Sequence, residues 1–322
     1  MRAPAFWQDD GIWPRLLAPA AAAYGWIARR RQQAARPWSA PVPVLSIGNL
    51  VAGGAGKTPV AISLTQRLAG HDRRPHLLSR GYGGRVRGPV RVDPSRHEAA
   101  EVGDEPLLLA RAAPTWVARD RAAGARAAIA DGATMLLLDD GHQNRALTRD
   151  LALLVIDGGQ AFGNRRLIPA GPLREDIEEG LARAHGAVLL GDDGTGLGTE
   201  LAGRLPLLTG RLAPEPSPVA GKAVVAFAGI GRPEKFFATL EDMGCEVLGR
   251  HAFADHHPYR EHEVLVLLDK ATKLDAALVT TAKDRVRLPA HMQDLVEVVE
   301  VAVAWDDEAA LDALLAGLDG DG

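Results

Sequence analysis

The stretch that decides the fold of this chain is Ser46-Ile-Gly-Asn-Leu-Val-Ala-Gly-Gly-Ala-Gly-Lys-Thr-Pro59. An apolar run precedes it and a helical pattern follows it, which is the strand–loop–helix context of a phosphate-binding loop (P-loop). Glycines let main-chain N–H groups surround phosphate oxygens, and the N-terminus of the following helix adds a favourable dipole. We expect nucleotide phosphates to be held by seven consecutive residues, namely Gly53, Gly54, Ala55, Gly56, Lys57, Thr58 and Pro59.

Two residues of this loop carry chemistry of their own. Lys57 is expected to reach the β- and γ-phosphates of ATP, and the hydroxyl of Thr58 is expected to bind Mg²⁺. One position departs from the usual G-x-x-x-x-G-K-[ST] pattern, because Val51 stands where the first glycine would be. The alternative is a glycine-rich turn with a chance Lys-Thr pair, which the strand–helix context disfavours.

A second acidic element supports the nucleotide site. Residues 135–140 read Met-Leu-Leu-Leu-Asp-Asp, an apolar strand that ends in two carboxylates. P-loop enzymes place an aspartate there to hold the Mg²⁺ that bridges the phosphates. Strands also end in aspartate for reasons of turn geometry, so the pattern gains weight only beside the P-loop. Asp139 and Asp140 are both candidates, and their spacing does not choose between them.

The rest of the chain alternates between apolar runs and helical patterns, which indicates a buried parallel sheet in an α/β fold. The first series has expected strands over 42–47, 76–79, 115–118, 135–138, 151–156 and 187–190. After a proline-rich stretch, the second series has expected strands over 223–228, 247–251, 276–279 and 295–301, and helices over 233–243, 261–272 and 308–318. The sequence therefore predicts a P-loop NTPase-type domain over 36–215, a smaller α/β domain over 216–322 and a separate segment over 1–35.

The amino-terminal segment differs in composition from the rest of the chain. Four of the six tryptophans lie in the first 38 residues, and three arginines follow the apolar run 16–28. That run is too short to cross a bilayer core, which needs about 20 residues, and Pro19 interrupts it. Acidic residues at 9 and 10 disfavour a secretory signal. We expect residues 6–31 to form a membrane-associated interfacial helix, with an ordinary helix packed on the domain as the open alternative.

Composition narrows the classes of function. The formal net charge of −4 over 322 residues gives no broad basic face, so no nucleic-acid partner is expected. Cys245 is the sole cysteine, which excludes an internal disulfide and fits a reducing compartment. No obligate protein partner is evident from the sequence.

Six short motifs follow one another along the chain. They are Ser46-Ile-Gly-Asn-Leu50, Gly53-Gly-Ala-Gly-Lys-Thr-Pro59, Ser79-Arg-Gly-Tyr-Gly83, Val102-Gly-Asp-Glu-Pro106, Asp139-Asp-Gly-His-Gln143 and Pro169-Ala-Gly-Pro-Leu-Arg-Glu175. In this order they resemble the tetraacyldisaccharide 4'-kinase family, from about residue 6 to about residue 288. That family also lacks the first P-loop glycine. His142 and Asn144 depart from the aromatic residue and the histidine that are more usual beside Gln143.

The resemblance implies a reaction and a place for it. The family transfers the γ-phosphate of ATP, with Mg²⁺, to the 4'-hydroxyl of a tetraacylated glucosamine disaccharide 1-phosphate, giving lipid IVA in lipid A biosynthesis. It implies a P-loop domain and a smaller α/β domain with nucleotide between them. ATP and reduced thiols are cytoplasmic, so the active site should face the cytoplasm. The lipid-linked substrate would then be met at the cytoplasmic face of the bacterial inner membrane, by a peripheral or monotopic protein.

The resemblance also implies catalytic roles. Asp104 matches the family's proposed general base, and His256 resembles the partner that orients this base, with neighbouring His257 as the competing choice. Taken alone, Asp104 would be read as a helix cap. Because His256 lies in the second predicted domain, catalysis would require the two domains to close.

Five side chains are expected to bind the substrate. The resemblance suggests that Arg174 contacts phosphate or substrate, and that Arg80 and Tyr82 meet the 1-phosphate and the sugar. Arg119 and Arg121 follow a strand and are expected to bind substrate phosphate, with a solvated helix start as the equal alternative.

Two further signals are weaker. The resemblance suggests that Glu175 helps to bind Mg²⁺, and a surface ion pair is the alternative for both Arg174 and Glu175. The stretch Thr281-Ala-Lys-Asp284 is similar to base-reading Lys-x-Asp loops, and a strand-end turn is its alternative.

Two other functions are alternatives to a lipid kinase. A P-loop kinase or ATPase acting on a soluble, non-lipid substrate would keep Lys57, Thr58 and Asp139 but would not need residues 6–31. A nucleotide switch would hydrolyse ATP slowly and would have no sugar acceptor, and the Asp104 and His256 pair disfavours it.

Overall fold

The computed structural model describes residues 4–70 and 73–319 of the chain. Within these residues the strands form two sheets, one of nine strands and one of four. In chain order the strands are β1 (Val44–Gly48), β2 (Pro75–Ser79), β3 (Val90–Arg91), β4 (Thr115–Val117), β5 (Met135–Asp139), β6 (Leu151–Asp157), β7 (Gly186–Leu190), β8 (Leu207–Pro214), β9 (Ala223–Ala228), β10 (Glu246–Ala252), β11 (Ala277–Thr281), β12 (Glu297–Val299) and β13 (Val301–Trp305).

Helices cover both sheets. In chain order they are α1 (Ile12–Gln33), α2 (Lys57–Leu68), α3 (Ala99–Val102), α4 (Asp104–Leu109), α5 (Arg121–Ala130), α6 (Ile177–Leu181), α7 (Leu197–Leu201), α8 (Pro233–Asp242), α9 (Glu261–Lys273), α10 (Ala282–Arg285) and α11 (Glu308–Ala316). Short 3₁₀ turns occupy Ala5–Gln8, Ala290–Leu295 and Gly317–Asp319.

The large sheet has the strand order β13-β8-β7-β6-β1-β5-β2-β4-β3. Its interior pairs are parallel, and only the end pairs β13–β8 and β3–β4 are antiparallel. Successive residues of β5 serve opposite faces: Leu137 packs with α2, whereas Leu136 and Leu138 pack with α5. Burial on both faces explains why these strands are continuously apolar. The predicted parallel-rich α/β sheet is confirmed.

The small sheet has the order β10-β9-β11-β12 and is parallel throughout. Phe236 and Leu240 of α8 cover one face, and Val264 and Leu267 of α9 cover the other. The sheet therefore has cores of its own, separate from those of the large sheet.

The chain crosses back to the large sheet near its end. The sequence predicted one strand over 295–301, and this is wrong: β12 pairs with β11 of the small sheet, whereas β13 pairs antiparallel with β8. The following helix places Leu311 and Leu315 in the core beneath α2. An antiparallel strand covers the open edge that β8 would otherwise present. Residues 301–318 thus complete the large sheet, although the sequence assigned all of 216–322 to the smaller unit.

Helix α1 lies on the large-sheet side of the molecule and is longer than its apolar run. Pro19 lies within it without ending it. Its inner face buries Pro14, Ala21 and Gly25, and Leu167 approaches so closely that a side chain at Gly25 would have to displace it. In the ranges 4–70 and 73–319, no helix combines the length and apolarity that a bilayer crossing requires.

The outer face of α1 is apolar. Its large exposed side chains are Ile12, Trp13, Leu16, Trp26 and Ile27, of which the first three are more than 60% exposed. Arg30 stacks over Trp26 at 4.6 Å from the ring centre. Contiguous exposed apolar side chains of this size mark an interaction surface.

Candidate active site

The P-loop begins as an extended strand and not as a turn. Val51 forms an antiparallel bridge with Leu173, Ala52 N donates to Pro172 O at 2.8 Å, and Arg174 N donates to Leu50 O at 2.8 Å. An extended position packed on apolar neighbours suits a β-branched residue. This bridge explains why valine replaces the usual first glycine, and it brings Arg174 beside the loop.

The end of the P-loop turns sharply into α2. Gly56 has φ +84°, and a side chain there would collide with Leu190. Lys57 and Thr58 follow as the first residues of α2, with Lys57 buried. The N-terminus of α2 therefore faces the carboxyl end of β1, where a phosphate would meet free N–H groups.

Asp139 and Asp140 end the strand next to β1, with Ile47 and Asp139 in register. Both carboxylate oxygens of Asp139 are buried and have no hydrogen-bond partner. Burial, together with the charges of Glu105 and Asp140, raises the pKa of Asp139 to about 7. An unpartnered buried carboxylate is costly unless a cation joins it, so this residue fits a bound metal ion.

Asp140 is held quite differently. Arg174 Nη1 donates to its carboxylate at 2.9 Å, and Lys57 Nζ lies 3.5 Å from Oδ1. Burial opposes ionisation, but the charges of Lys57 and Arg174 outweigh it and lower the pKa of Asp140 to about 2. Asp140 thus orients the two cations that flank the P-loop.

Asp104 and His256 meet across the two sheets. His256 Nδ1 and Asp104 Oδ2 lie 2.8 Å apart, while His257 pairs with Glu263 at 3.1 Å. Burial would raise the pKa of Asp104, but the bond to His256 and the charges of Lys283 and Arg287 lower it to about 2. The geometry brings His256, and not His257, to Asp104.

Asp104 is the first residue of α4 and does not act as the N-cap. Gly103 occupies that position at φ +92°, where a side chain would strike the carbonyl oxygen of Tyr82. Oδ1 of Asp104 accepts from the amide of Glu105 at 3.0 Å, and Oδ2 points to His256. The Gly103 turn therefore delivers the carboxylate to the junction of the two sheets.

A cleft of about 740 Å³ opens beside this pair. Tyr82, Asp104 and His256 line one part of it, and the Tyr82 ring meets the His256 ring edge-on at 5.8 Å. Arg96, Arg111 and Arg285 also line it. A cleft of this size with convergent polar groups is typical of a ligand site.

The structure separates the expected substrate-binding residues. Arg80, Tyr82 and Arg119 are exposed at the ends of β2 and β4. Arg121 differs from the expectation, because it is buried and donates to the carbonyls of Ala118 and Asp139. We infer that Arg121 stabilises the end of β5, because its guanidinium is already hydrogen-bonded to backbone carbonyls.

Glu175 also differs from its expected role. Its carboxylate is buried and accepts from Gln143 and Gln32 at 3.0 Å each, and it pairs with Arg183. It therefore links α1 to the loop that follows β5. Among the described residues, no cluster of three or more His, Cys, Asp or Glu side chains could hold a metal by itself.

The Thr281–Asp284 stretch forms a strand-end turn. Asp284 is fully buried and accepts from Gly229 N at 2.8 Å and from the Tyr259 hydroxyl at 2.7 Å. The hydroxyl of Thr281 accepts from Asp284 N at 3.1 Å, which caps α10. A fully occupied aspartate cannot read a nucleobase, so the turn interpretation holds for it.

Sequence reasoning missed several residues of the site. Glu105 follows the proposed base directly, and Lys283 and Arg287 reach this region from the small sheet. Asp157, at the end of β6, pairs with Arg232 and with Lys235 at 3.0 Å. Glu105 and Lys283 could have been singled out in the sequence because each lies inside a motif. The contacts themselves join residues far apart in the chain, and such contacts leave no local sequence pattern.

Comparisons with known proteins extend over nearly the whole chain. The sequence model of the tetraacyldisaccharide-1-P 4'-kinase family (LpxK) matches residues 13–318. The tetraacyldisaccharide 4'-kinase of Rhodospirillum centenum is 56% identical over 99% of this chain and 97% of its own length. The kinase of the same name from Rhodospirillum rubrum is 52% identical over 98% and 97%.

A solved structure is similar as well. An LpxK from Aquifex aeolicus, in complex with ATP, superposes with a TM-score of 0.75 at 26% identity. The match covers 95% of this chain and 99% of that chain. The similarity therefore includes both sheets and does not stop at the P-loop.

Proposed function

The chain belongs to the tetraacyldisaccharide 4'-kinase family. From this membership we infer that it is the ATP-dependent kinase that phosphorylates the 4' position of the disaccharide in lipid A biosynthesis. It transfers the γ-phosphate of ATP to the 4'-hydroxyl of tetraacyldisaccharide 1-phosphate, giving lipid IVA. The observation that carries this inference is that the chain combines a P-loop with an Asp104–His256 pair at the junction of two sheets. A phosphate cradle alone would serve any nucleotide enzyme, whereas the pair adds a buried carboxylate, that of Asp104, which can receive an alcohol proton.

The donor end of the reaction belongs to the P-loop. We propose that the amides from Gly53 to Thr58 bind the phosphates of ATP, with Lys57 on the β- and γ-phosphates. Asp140 supports this role because it pairs with both Lys57 and Arg174. Arg174 would then face the transferring phosphoryl group.

The chain also fits the Mg²⁺ that a kinase requires. Thr58 and Asp139 would hold the ion, and the unpartnered buried oxygens of Asp139 favour it over the occupied Asp140 and Glu175. When bound, Mg²⁺ supplies positive charge that offsets the negative charge of the phosphates.

The acceptor end belongs to Asp104. We propose that its carboxylate accepts the proton of the 4'-hydroxyl while His256 holds it in one orientation. Its low pKa keeps it ionised at neutral pH, which suits a reaction in which positioning matters more than basic strength. The adjoining cleft would take the disaccharide head group, with Arg80, Tyr82 and Arg119 near the sugar phosphate.

The lipid-facing part is α1. We propose that Trp13, Leu16 and Trp26 enter the headgroup region of the cytoplasmic face of the inner membrane, while Arg30 and Arg31 meet anionic lipids. The helix contacts the loop of Arg174 directly, since Gln32 donates to Glu175. Trp7, in the 3₁₀ turn before the helix, donates to Pro169 O at 3.1 Å. The acyl chains could thus remain near the membrane while the head group reaches the site. We also propose that the two sheets act as separate domains that close during turnover.

The test is transfer of label. The purified protein is incubated with γ-labelled ATP, Mg²⁺ and tetraacyldisaccharide 1-phosphate in detergent micelles, and the lipid fraction is counted. Label should enter the lipid with the unmodified protein and be lost in Lys57→Ala and Asp104→Ala. If label appears only as inorganic phosphate, the protein is an ATPase or a nucleotide switch and the inference fails.

A further inference from the structure

Two neighbouring carboxylates at the start of α4 face His256, Lys283 and Arg287 from the small sheet. His256 lies 2.8 Å from Asp104, and Arg287 Nε lies 3.5 Å from the same oxygen. Lys283 Nζ lies 2.9 Å from Oε1 of Glu105. The large sheet thus contributes two adjacent negative charges, and the small sheet contributes the groups that meet them.

The small sheet presents these groups at one edge. His256 follows β10, and Lys283 and Arg287 follow β11, so all three leave the carboxyl ends of parallel strands. This edge is where α/β sheets usually place their functional groups. Other charges packed around the pair are Asp255, 3.9 Å from His256, and Asp284, 3.0 Å from Arg287.

The backbone of Lys283 is anchored, and most of its side chain is shielded from solvent. Its short helix α10 is capped by Thr281 and anchored through buried Asp284, as described above. Its side chain is only about one quarter exposed. Although burial opposes its charge, the nearby Glu105 and Asp104 raise the pKa of Lys283, so it is a cation at neutral pH.

We propose that Lys283 is a positioning residue for phosphoryl transfer: its pairing with Glu105 fixes the first turn of α4 and thereby aims the Asp104 carboxylate at the acceptor hydroxyl. The proposal rests on the function proposed above. Lys283 itself touches neither ATP nor acceptor in this scheme. The Thr281–Asp284 turn then has a purpose, which is to carry this lysine to the base from the opposite sheet.

A purely structural ion pair would behave differently. Such a pair would change thermal stability or the assembly of the two sheets, and the rate per folded molecule would stay the same. If Lys283 instead positions Asp104, its loss should lower kcat, because a misplaced reacting group raises the free energy of the transition state. The two roles therefore separate in the kcat and KM values of a folded variant.

The experiment compares Lys283→Met and Lys283→Arg with the unmodified enzyme in the lipid-phosphorylation assay. Lys273→Met is the matched control, because Lys273 pairs with Asp269 on the exposed face of α9. We expect Lys283→Met to lower kcat roughly tenfold, the usual size of coupling within a charge network. KM for ATP should stay within about twofold because the P-loop is untouched, and Lys283→Arg should keep kcat within about threefold of the unmodified value.

Each outcome has a definite meaning. If Lys283→Met retains kcat within about twofold while melting at a lower temperature, the pair is structural and the proposal is overturned. If Lys283→Arg is as impaired as Lys283→Met, charge is not what Lys283 supplies, and the proposal is also overturned. If the unmodified protein transfers no label to the lipid, the proposed function fails together with this one.

Discussion

At the scale of single residues, two adjacent aspartates end the same strand and have opposite environments. Asp139 is buried without a partner, whereas Asp140 is bound by Lys57 and Arg174. The difference arises from a reversal of direction at Asp140, which has a left-handed backbone with φ +51°. One carboxylate is thereby free for a metal ion, and the other organises the cations.

This difference predicts opposite effects of two similar substitutions. Asp139→Asn should lower kcat on the order of 100-fold and raise the Mg²⁺ concentration needed for half-maximal activity. It should not lower the melting temperature in EDTA, because it removes a buried charge that has no partner. Asp140→Asn should lower that temperature by a few degrees, since it leaves Lys57 and Arg174 unpaired.

Thermal unfolding in EDTA and Mg²⁺ titrations of the initial rate check both statements. Equal destabilisation by the two substitutions in EDTA would contradict the assignment of the metal ion to Asp139.

The Asp104 carboxylate predicts a dependence of stability on pH. Its pKa in the folded protein is about 2, below the ordinary 3.8, so it stabilises the fold above pH 4 and loses that effect as the pH falls toward 2. Asp104→Asn should therefore cost about 2 kcal/mol at pH 7, and the cost should shrink by about 1 kcal/mol at pH 3.

Urea unfolding at the two pH values measures this change, with exposed Asp269→Asn as the control. A cost that is the same at pH 3 and pH 7 would mean that the ionised carboxylate is not what stabilises the junction.

Sequence reasoning at this scale could propose residues where the pattern was local. The P-loop residues and the candidates Asp139 and Asp140 could be proposed because each set lies in a motif that is continuous in the chain. The choice between the two aspartates was not available, since it depends on Arg174, which is 34 residues from Asp140. Likewise, the sequence around Arg121 gave no indication that its guanidinium would donate a hydrogen bond to the carbonyl of Asp139.

At the scale of elements, α1 joins an apolar outer face to a specific attachment. Its inner side is tied to the loop of Arg174 and Glu175 through Gln32, and Arg29 pairs with Glu179 at 2.9 Å. A helix that only covered the domain would gain nothing from exposing two tryptophans and a leucine. The arrangement therefore favours a helix that docks on the protein with one side and on lipid with the other.

Substitution of the outer face tests that interpretation. Trp13→Ser, Leu16→Ser and Trp26→Ser together should reduce binding to anionic phospholipid vesicles by at least tenfold, because burial of each large side chain contributes roughly 1.5–3 kcal/mol. The fold should be unaffected, since these side chains are exposed.

Co-sedimentation with vesicles measures the binding. Leu265→Ser with Val266→Ser, which are exposed on α9, is the control and should bind as the unmodified protein does. Undiminished sedimentation of the α1 variant would remove the membrane role from this helix.

The elements themselves were largely predictable. Periodicity gave β1, β5, β6 and β9 to within two residues at each end, because their apolar runs are bounded by turn residues. It failed at 295–301, where an unbroken apolar run belongs to two strands of different sheets. The apolar residues of such a run indicate that it is buried, but they do not indicate which strand it pairs with.

At the scale of the whole molecule, the two sheets meet at charged contacts next to the site. Asp157 at the end of β6 binds Arg232 and Lys235 of the α8 region, and Asp104 and Glu105 bind His256, Lys283 and Arg287. Asp104 and His256 are 152 residues apart in the chain, and only the family resemblance had paired them. The site therefore exists only when both sheets are in contact.

The most direct test of this account is the structure of the product. The purified protein, ATP, Mg²⁺ and tetraacyldisaccharide 1-phosphate are incubated in detergent, and the recovered lipid is examined by ³¹P NMR. Transfer to the 4'-hydroxyl should give a second phosphomonoester signal coupled to the proton at the 4' carbon, and Asp104→Ala should give no such signal. A lipid that returns with its 1-phosphate alone while ATP is consumed would contradict it.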